Sequence, residues 1–176
     1  ISSNTPFCSS GYGIQSLYLI DIFKNLGYEV YFIAWNVTIG KEMRGKALSI
    51  DDLFNYDINF LADKEYINDI RHKLTDVKFY CNLYDSFPHI IYPQDLNKII
   101  EKENIDLLFY LLDVWIIDNK QRFSCKSICW LPLHFTPVEN ITLKVLPLFD
   151  EILCLSEYCK DLLREYYKNE NFLVVP

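Results

Sequence analysis

Several things are scarce in this chain of 176 residues, and each scarcity removes a class of function. Basic residues are outnumbered, 17 Lys and Arg against 24 Asp and Glu, for a net charge of −7. That balance argues against nucleic acid gripped through a broad cationic face. No apolar run reaches the ~18 residues that suggest a membrane-spanning helix, and the N-terminus lacks the basic and apolar parts of a signal peptide. Peripheral contact with a membrane is left open. Six cysteines form no C-x-x-C pair, and three histidines do not cluster with them, so no metal-ligand set is legible. Glycine is sparse as well, five in all, yet Gly11 and Gly13 stand together near the start.

What is present reads as an ordered globular protein, 51% apolar and 16% aromatic. The length suits one domain over 1–176. A first residue of Ile rather than Met suggests a domain trimmed from a longer protein. Several cysteines lie inside apolar runs such as "SICWL" and "EILCLS". Buried reduced thiols are the ordinary reading there, with a reducing, cytoplasmic compartment expected. The sequons at Asn36 and Asn140 would matter only in a secreted chain.

Along the chain, short apolar runs alternate with amphipathic segments. Ile14, Leu17, Leu19, Ile20, Phe23 and Leu26 recur mostly three or four apart, predicting a helix over 14–27 capped by Gly27. "YEVYFIAW" (28–35) reads as a strand from its β-branched and aromatic content. The region 37–76 reads as a polar loop with one or two helical pieces, and 77–84 as a further strand. Helices are expected at 93–104, with Pro93 in the first turn, at 138–149 and at 157–169. Strands are expected at 105–113, 126–133, 151–156 and 171–175. This alternation predicts an α/β domain, a doubly wound, Rossmann-like parallel sheet with helices on both faces. Ligands of such sheets sit beyond the carboxyl ends of the strands. That edge would carry the loops 3–13, 113–118 and 132–137 and the Ser156–Glu157 step.

The stretch "SSNTPFCSSGYGIQS" therefore leads from one such edge into a helix, and its loop is expected to lie outside the core. Three ligand classes suit a glycine loop there. A dinucleotide needs G-x-G-x-x-G and an acid ending the second strand; here Ser16 replaces the third glycine and the strand ends "AWN". A triphosphate P-loop is imitated by "GKEMRGKA" (40–47), but Ala47 replaces the Ser or Thr that holds the metal. A sugar nucleotide needs only free amides and the partial positive charge of a helix N-terminus facing its diphosphate, which an acidic chain can offer. The spacing leaves that reading level with a plain tight turn.

The order of motifs adds a resemblance. "SNTPFCSSGYGIQ…LGYEVYFIAW" resembles the opening of retaining GT-B glycosyltransferases of the family-4 type. "ICWLPLHFTPVE…LPLFDEILCLSEYCKDLL…NFLVVP" is similar to their later pattern, and the likeness spans nearly the whole chain, with 37–90 adding little. It implies the N-terminal, acceptor-side half of a GT-B enzyme, whose C-terminal donor-binding domain does not appear in this sequence. The reaction implied is retaining transfer from a nucleotide-sugar donor to a carbohydrate or other hydroxylated acceptor, without metal or further cofactor. The isolated half is expected to be inactive.

By the same resemblance Gly11 and Gly13 approach the donor diphosphate. His134, in "LPLHFTP", would lie near the transferred sugar and is, with Asp113, a candidate catalytic residue, although a lone histidine is commonly structural. Asp113 ends a buried strand and would bind acceptor hydroxyls or cap the next segment. Tyr12, Gln15 and Trp115 are candidates for the cleft wall. Ser156 and Glu157 open a helix at the same edge, where an N-cap role for Ser156 is the stronger explanation. A non-catalytic Rossmann-like binding domain and a P-loop enzyme are the alternatives.

Overall fold

A computed structural model describes residues 1–8, 10–35, 37, 41–55, 64–81, 83, 90–133, 136–168 and 172–176. The chain divides into two compact units, Ile1–Pro88 and His89–Pro176.

The first unit runs β1 (Ser2–Ser3), α1 (Gly11–Asn25), β2 (Tyr31–Ala34), β3 (Ala47–Leu48), α2 (Ile50–Asn55), α3 (Lys64–Ile70), β4 (Lys78–Cys81). Its strands lie in the order β3-β4-β2-β1. β1, β2 and β4 are parallel, and β3 runs antiparallel to β4. Consecutive residues of β2 and β4 are buried, Phe32-Ile33-Ala34 and Phe79-Tyr80-Cys81, which is the pattern of strands covered on both faces. Their core cluster includes Leu17 and Ile20 from α1, Leu53 from α2, Leu74 and Phe7.

Helix α1 has defined ends. Ser10 is extended (φ −89°, ψ 161°) and its hydroxyl accepts from the Gly13 N–H, satisfying one of the open first-turn donors. At the other end Gly27 takes φ +86°. Its N–H donates to Lys24 O at 2.9 Å, and the Tyr28 N–H donates to Phe23 O at 3.0 Å. This is a Schellman closure, which needs a left-handed residue that glycine adopts without strain. The accompanying apolar contact is Phe23 against Tyr28, ring centroids 5.7 Å apart.

The region read as loop with helical pieces contains α2, α3 and two 3-10 turns, and also β3, which sequence reading missed. After Gly45 (φ +70°) and Lys46 the chain enters β3. The described part of the "GKEMRGKA" segment, 41–47, thus leads into an edge strand rather than the helix N-terminus a P-loop requires.

The second unit runs α4 (Pro93–Glu103), β5 (Leu107–Leu111), β6 (Lys126–Leu131), α5 (Asn140–Val145), β7 (Glu151–Cys154), α6 (Glu157–Arg164), β8 (Leu173–Val174). The order is β5-β6-β7-β8 and every pairing is parallel. Pro93 occupies the first turn of α4, where a missing N–H costs nothing, and Asn104 ends it at φ 51°. Pro147 lies in the 3-10 turn Leu146–Leu148 that follows α5. Asp150 accepts from Ser127 N and Oγ at 2.8 and 3.0 Å, tying the turn before β7 to β6. The fold class is α/β with mostly parallel strands. Among the described residues, no helix is long and apolar enough to cross a membrane.

Candidate ligand-binding site

The carboxyl end of β1 is where the opening stretch turns back onto α1. The turn is closed by the Cys8 N–H donating to Thr5 O at 3.1 Å. Ser16 on α1 donates its hydroxyl to Asn4 O at 3.1 Å, so the loop lies along the first turns of the helix. Small residues three apart permit this. Ser16 is fully buried, and at Gly13 the space a Cβ would need is taken by Cys8 O, with Thr5 O 2.9 Å away. The loop is not outside the core: Phe7 is 1% exposed, with its ring centroid 5.5 Å from that of Phe79. An apolar ring this size is held inside by burial worth about 2–3 kcal/mol.

Gly11 and Gly13 therefore differ. The Gly13 N–H is taken by Ser10 Oγ at 3.2 Å, and its lack of a side chain is required by its own loop. Gly11 has nothing within 4 Å of the position a Cβ would occupy. Its N–H makes no hydrogen bond among the described residues. It stands at the N-terminus of a 15-residue helix with no acidic side chain in the first turn, so the partial positive charge there is not neutralised by the helix's own residues. Tyr12 and Gln15 lie on the same turns, both half-buried. The Asn4 side-chain oxygen is buried without a hydrogen-bond partner among the described residues. Sequence reading named neither Ser10 nor Asn4; a Ser directly before the first periodic residue is a legible N-cap signal, whereas the Asn4 burial depends on the fold.

In the second unit, Asp113 follows β5 and precedes a 3-10 turn, Val114–Ile116. Its backbone carbonyl accepts from Tyr110 Oη at 3.4 Å. Asp113 and Trp115 share a small cavity of about 20 Å³ with Leu131, Leu133, Glu139 and Thr142, at the carboxyl ends of β5 and β6. That volume holds about one water molecule. Trp115 is 49% exposed, so its ring forms a wall open to solvent rather than core. Glu139 was not singled out from the sequence, although it ends the quoted stretch "ICWLPLHFTPVE". The opposite, amino-terminal edge of β6 carries a wider groove of about 500 Å³ lined in part by Arg122, Ser124 and Lys126. Its cations already have partners: Arg122 donates to Pro147 O and Lys126 pairs with Glu151, both at 2.7 Å.

In comparisons with protein-family models, curated proteins and solved structures, nothing matches this chain.

Ser156 is the N-cap of α6, accepting from the Cys159 N–H at 3.1 Å. Glu157 is exposed and pairs with Lys160 at 2.7 Å. Both have complete structural explanations. His134 lies outside the described residues. Cys81, Cys129, Cys154 and Cys159 are buried, while Cys8 and Cys125 are half-buried. Burial pushes the Cys81 thiol up to about 12. A hydrogen bond with Cys159, then burial, raises Cys154 as well. The Cys81 and Cys154 thiols therefore stay protonated and unreactive near neutrality, whereas the hydrogen bond with Cys154 lowers Cys159. No group of three or more metal-ligating side chains occurs among the described residues.

Proposed function

We propose that this chain is the acceptor-side half of a GT-B glycosyltransferase, a Rossmann-like doubly wound domain. It would take part in retaining transfer of a sugar from a nucleotide-activated donor to a hydroxylated acceptor. The observation that carries the reading is Gly11, an uncrowded glycine whose N–H makes no hydrogen bond among the described residues, at the start of a long helix, on the strand edge where α/β sheets take ligands. The order of motifs along the sequence supports the same reading.

The chemistry asks two things of such a domain. As the bond from the anomeric carbon to the diphosphate oxygen breaks, negative charge builds on the leaving diphosphate. Backbone donors and a helix dipole in fixed positions stabilise that charge without reorganising. The first turn of α1 supplies this, and its effect depends on backbone shape rather than on a basic side chain. The second need is to hold the acceptor. For that role the sequence resemblance nominates Asp113 and Trp115 of the second unit, considered by itself. No metal or further cofactor enters the proposal.

A non-catalytic binding domain is the competing reading. It is favoured by Gly13, whose smallness is fully explained by the Cys8 carbonyl. Calorimetric titration with nucleoside diphosphate sugars separates the two. The transferase reading expects weak, saturable binding that Gly11→Val removes at unchanged thermal stability. Absence of binding by any nucleotide sugar, or binding indifferent to Gly11→Val, rejects it. Sugar transfer by the isolated chain is not expected.

A further inference from the structure

The inner face of α1 is covered by the core of its unit, but its outer face is bare. Ile14, Tyr18, Ile22 and Leu26 follow one another four apart and are 43%, 63%, 51% and 67% exposed. At helical spacing they form one continuous ridge. Tyr28, just beyond the Gly27 closure, is 55% exposed and extends it. The remaining residues on this arc are Gly11, Gln15 and Asn25, so the arc holds no charge. The charges that α1 does carry are engaged at its margins. Asp21 pairs with Lys73 at 2.7 Å, while Lys24 donates to Lys73 O at 2.9 Å and lies 3.9 Å from Asp76. A helix apolar on both faces is ordinarily a buried helix.

We propose that this ridge is the contact between two copies of the chain, related by a two-fold axis beside Ile22. Geometry supports self-pairing. A ridge of residues four apart fits the groove beside an identical ridge at a crossing near −50°, the commonest helix packing. With the axis at Ile22, Tyr18 of each copy meets Leu26 of the other, so the surface is complementary to itself as an isologous contact requires. Gly11 lies about 16 Å further along the helix axis from Ile22.

Area and charge point the same way. The five exposed residues present roughly 500–600 Å² of mostly apolar surface, at the upper end for a monomer and about two-thirds of the ~800 Å² per partner of a standard interface. Each copy carries a net charge of −7, so two copies meet at least cost through a face without charge. A membrane is a poorer occupant. Helices that lie on lipid present lysine and arginine beside the apolar face, and here Lys24 and Lys73 are already held by acidic partners.

The test is sedimentation of the 176-residue chain over micromolar to submillimolar concentrations, beside the variant Tyr18→Glu/Ile22→Glu. The expected result is a reversible dimer of the wild type and a dissociation constant raised at least about 100-fold in the variant, with unchanged circular dichroism and melting temperature. As a check that needs no loss of binding, Ile22→Cys should form a covalent dimer across the axis under mild oxidation. Tyr158→Cys, exposed on α6, should form none above the wild-type background. A wild type monomeric throughout, a dimer insensitive to the double substitution, or no cross-link at Ile22→Cys overturns the proposal. So does a monomer that binds phospholipid vesicles through this ridge and loses them in the variant.

Discussion

The Cys8 carbonyl oxygen fills the space where Gly13 would carry a Cβ, while Gly11, two residues earlier on the same turn, faces open space. One glycine is needed by the loop that folds back on α1 and the other is not. A matched pair of substitutions should separate them. Gly13→Ala is expected to destabilise the protein by about 1–3 kcal/mol or more, because the loop held by Ser16 and Phe7 has no room to give. Gly11→Ala should be neutral or raise stability by up to about 1 kcal/mol, as alanine favours a helix over glycine. Urea unfolding of the two variants beside the wild type reads the difference directly. Equal effects would mean that the loop is not seated against α1 as described.

The α6 cap gives a second expectation. Ser156 satisfies the Cys159 N–H, so Ser156→Ala should cost about 1 kcal/mol, and Ser156→Asp should keep most of the stability. Thermal melts suffice to check this. If Ser156→Ala instead left stability untouched and altered ligand binding, Ser156 would belong to the binding edge rather than to the helix.

Alkaline pH provides a third. The Cys81 thiol titrates at about 12 in the folded protein, against an ordinary value of 9.0, so the folded state holds this proton when the unfolded chain has lost it. The stability so contributed is complete below about pH 9 and is lost as the pH rises towards 12. Each such thiol adds a slope of up to about 1.36 kcal/mol per pH unit. Burial raises Cys129 in the same direction, and the loss should therefore be steeper than one proton explains. Cys81→Ala should reduce the proton count obtained from stability against pH. A flat profile between pH 8 and 10.5 would contradict the burial of these thiols.

The parts of the fold that were legible in the sequence are those governed by local chemistry. The α1 repeat with its Gly27 closure, Pro93 at the start of α4, and the apolar runs of β2, β5, β6 and β7 all announce themselves within a few residues. Strand β3 does not. "AL" has no strand preference of its own, and its partner Phe79–Tyr80 is some thirty residues away. The burial of Phe7 was missed for the same reason, since the Phe79 ring that receives it comes from a distant strand. At the candidate site, the glycine pair was visible but the division between Gly11 and Gly13 was not. Only the path of the loop decides which glycine is crowded.

The most direct measurement of the central claim is an amide chemical-shift titration of the isotopically labelled chain with nucleoside diphosphate sugars. The account expects saturable shifts centred on Gly11 and Tyr12, at the millimolar affinities (about −4 kcal/mol) typical of a partial site. Those shifts should vanish in Gly11→Val, while its remaining spectrum stays that of the wild type. Shifts confined to the Arg122–Lys126 groove, or none at the start of α1 with any donor, would contradict it.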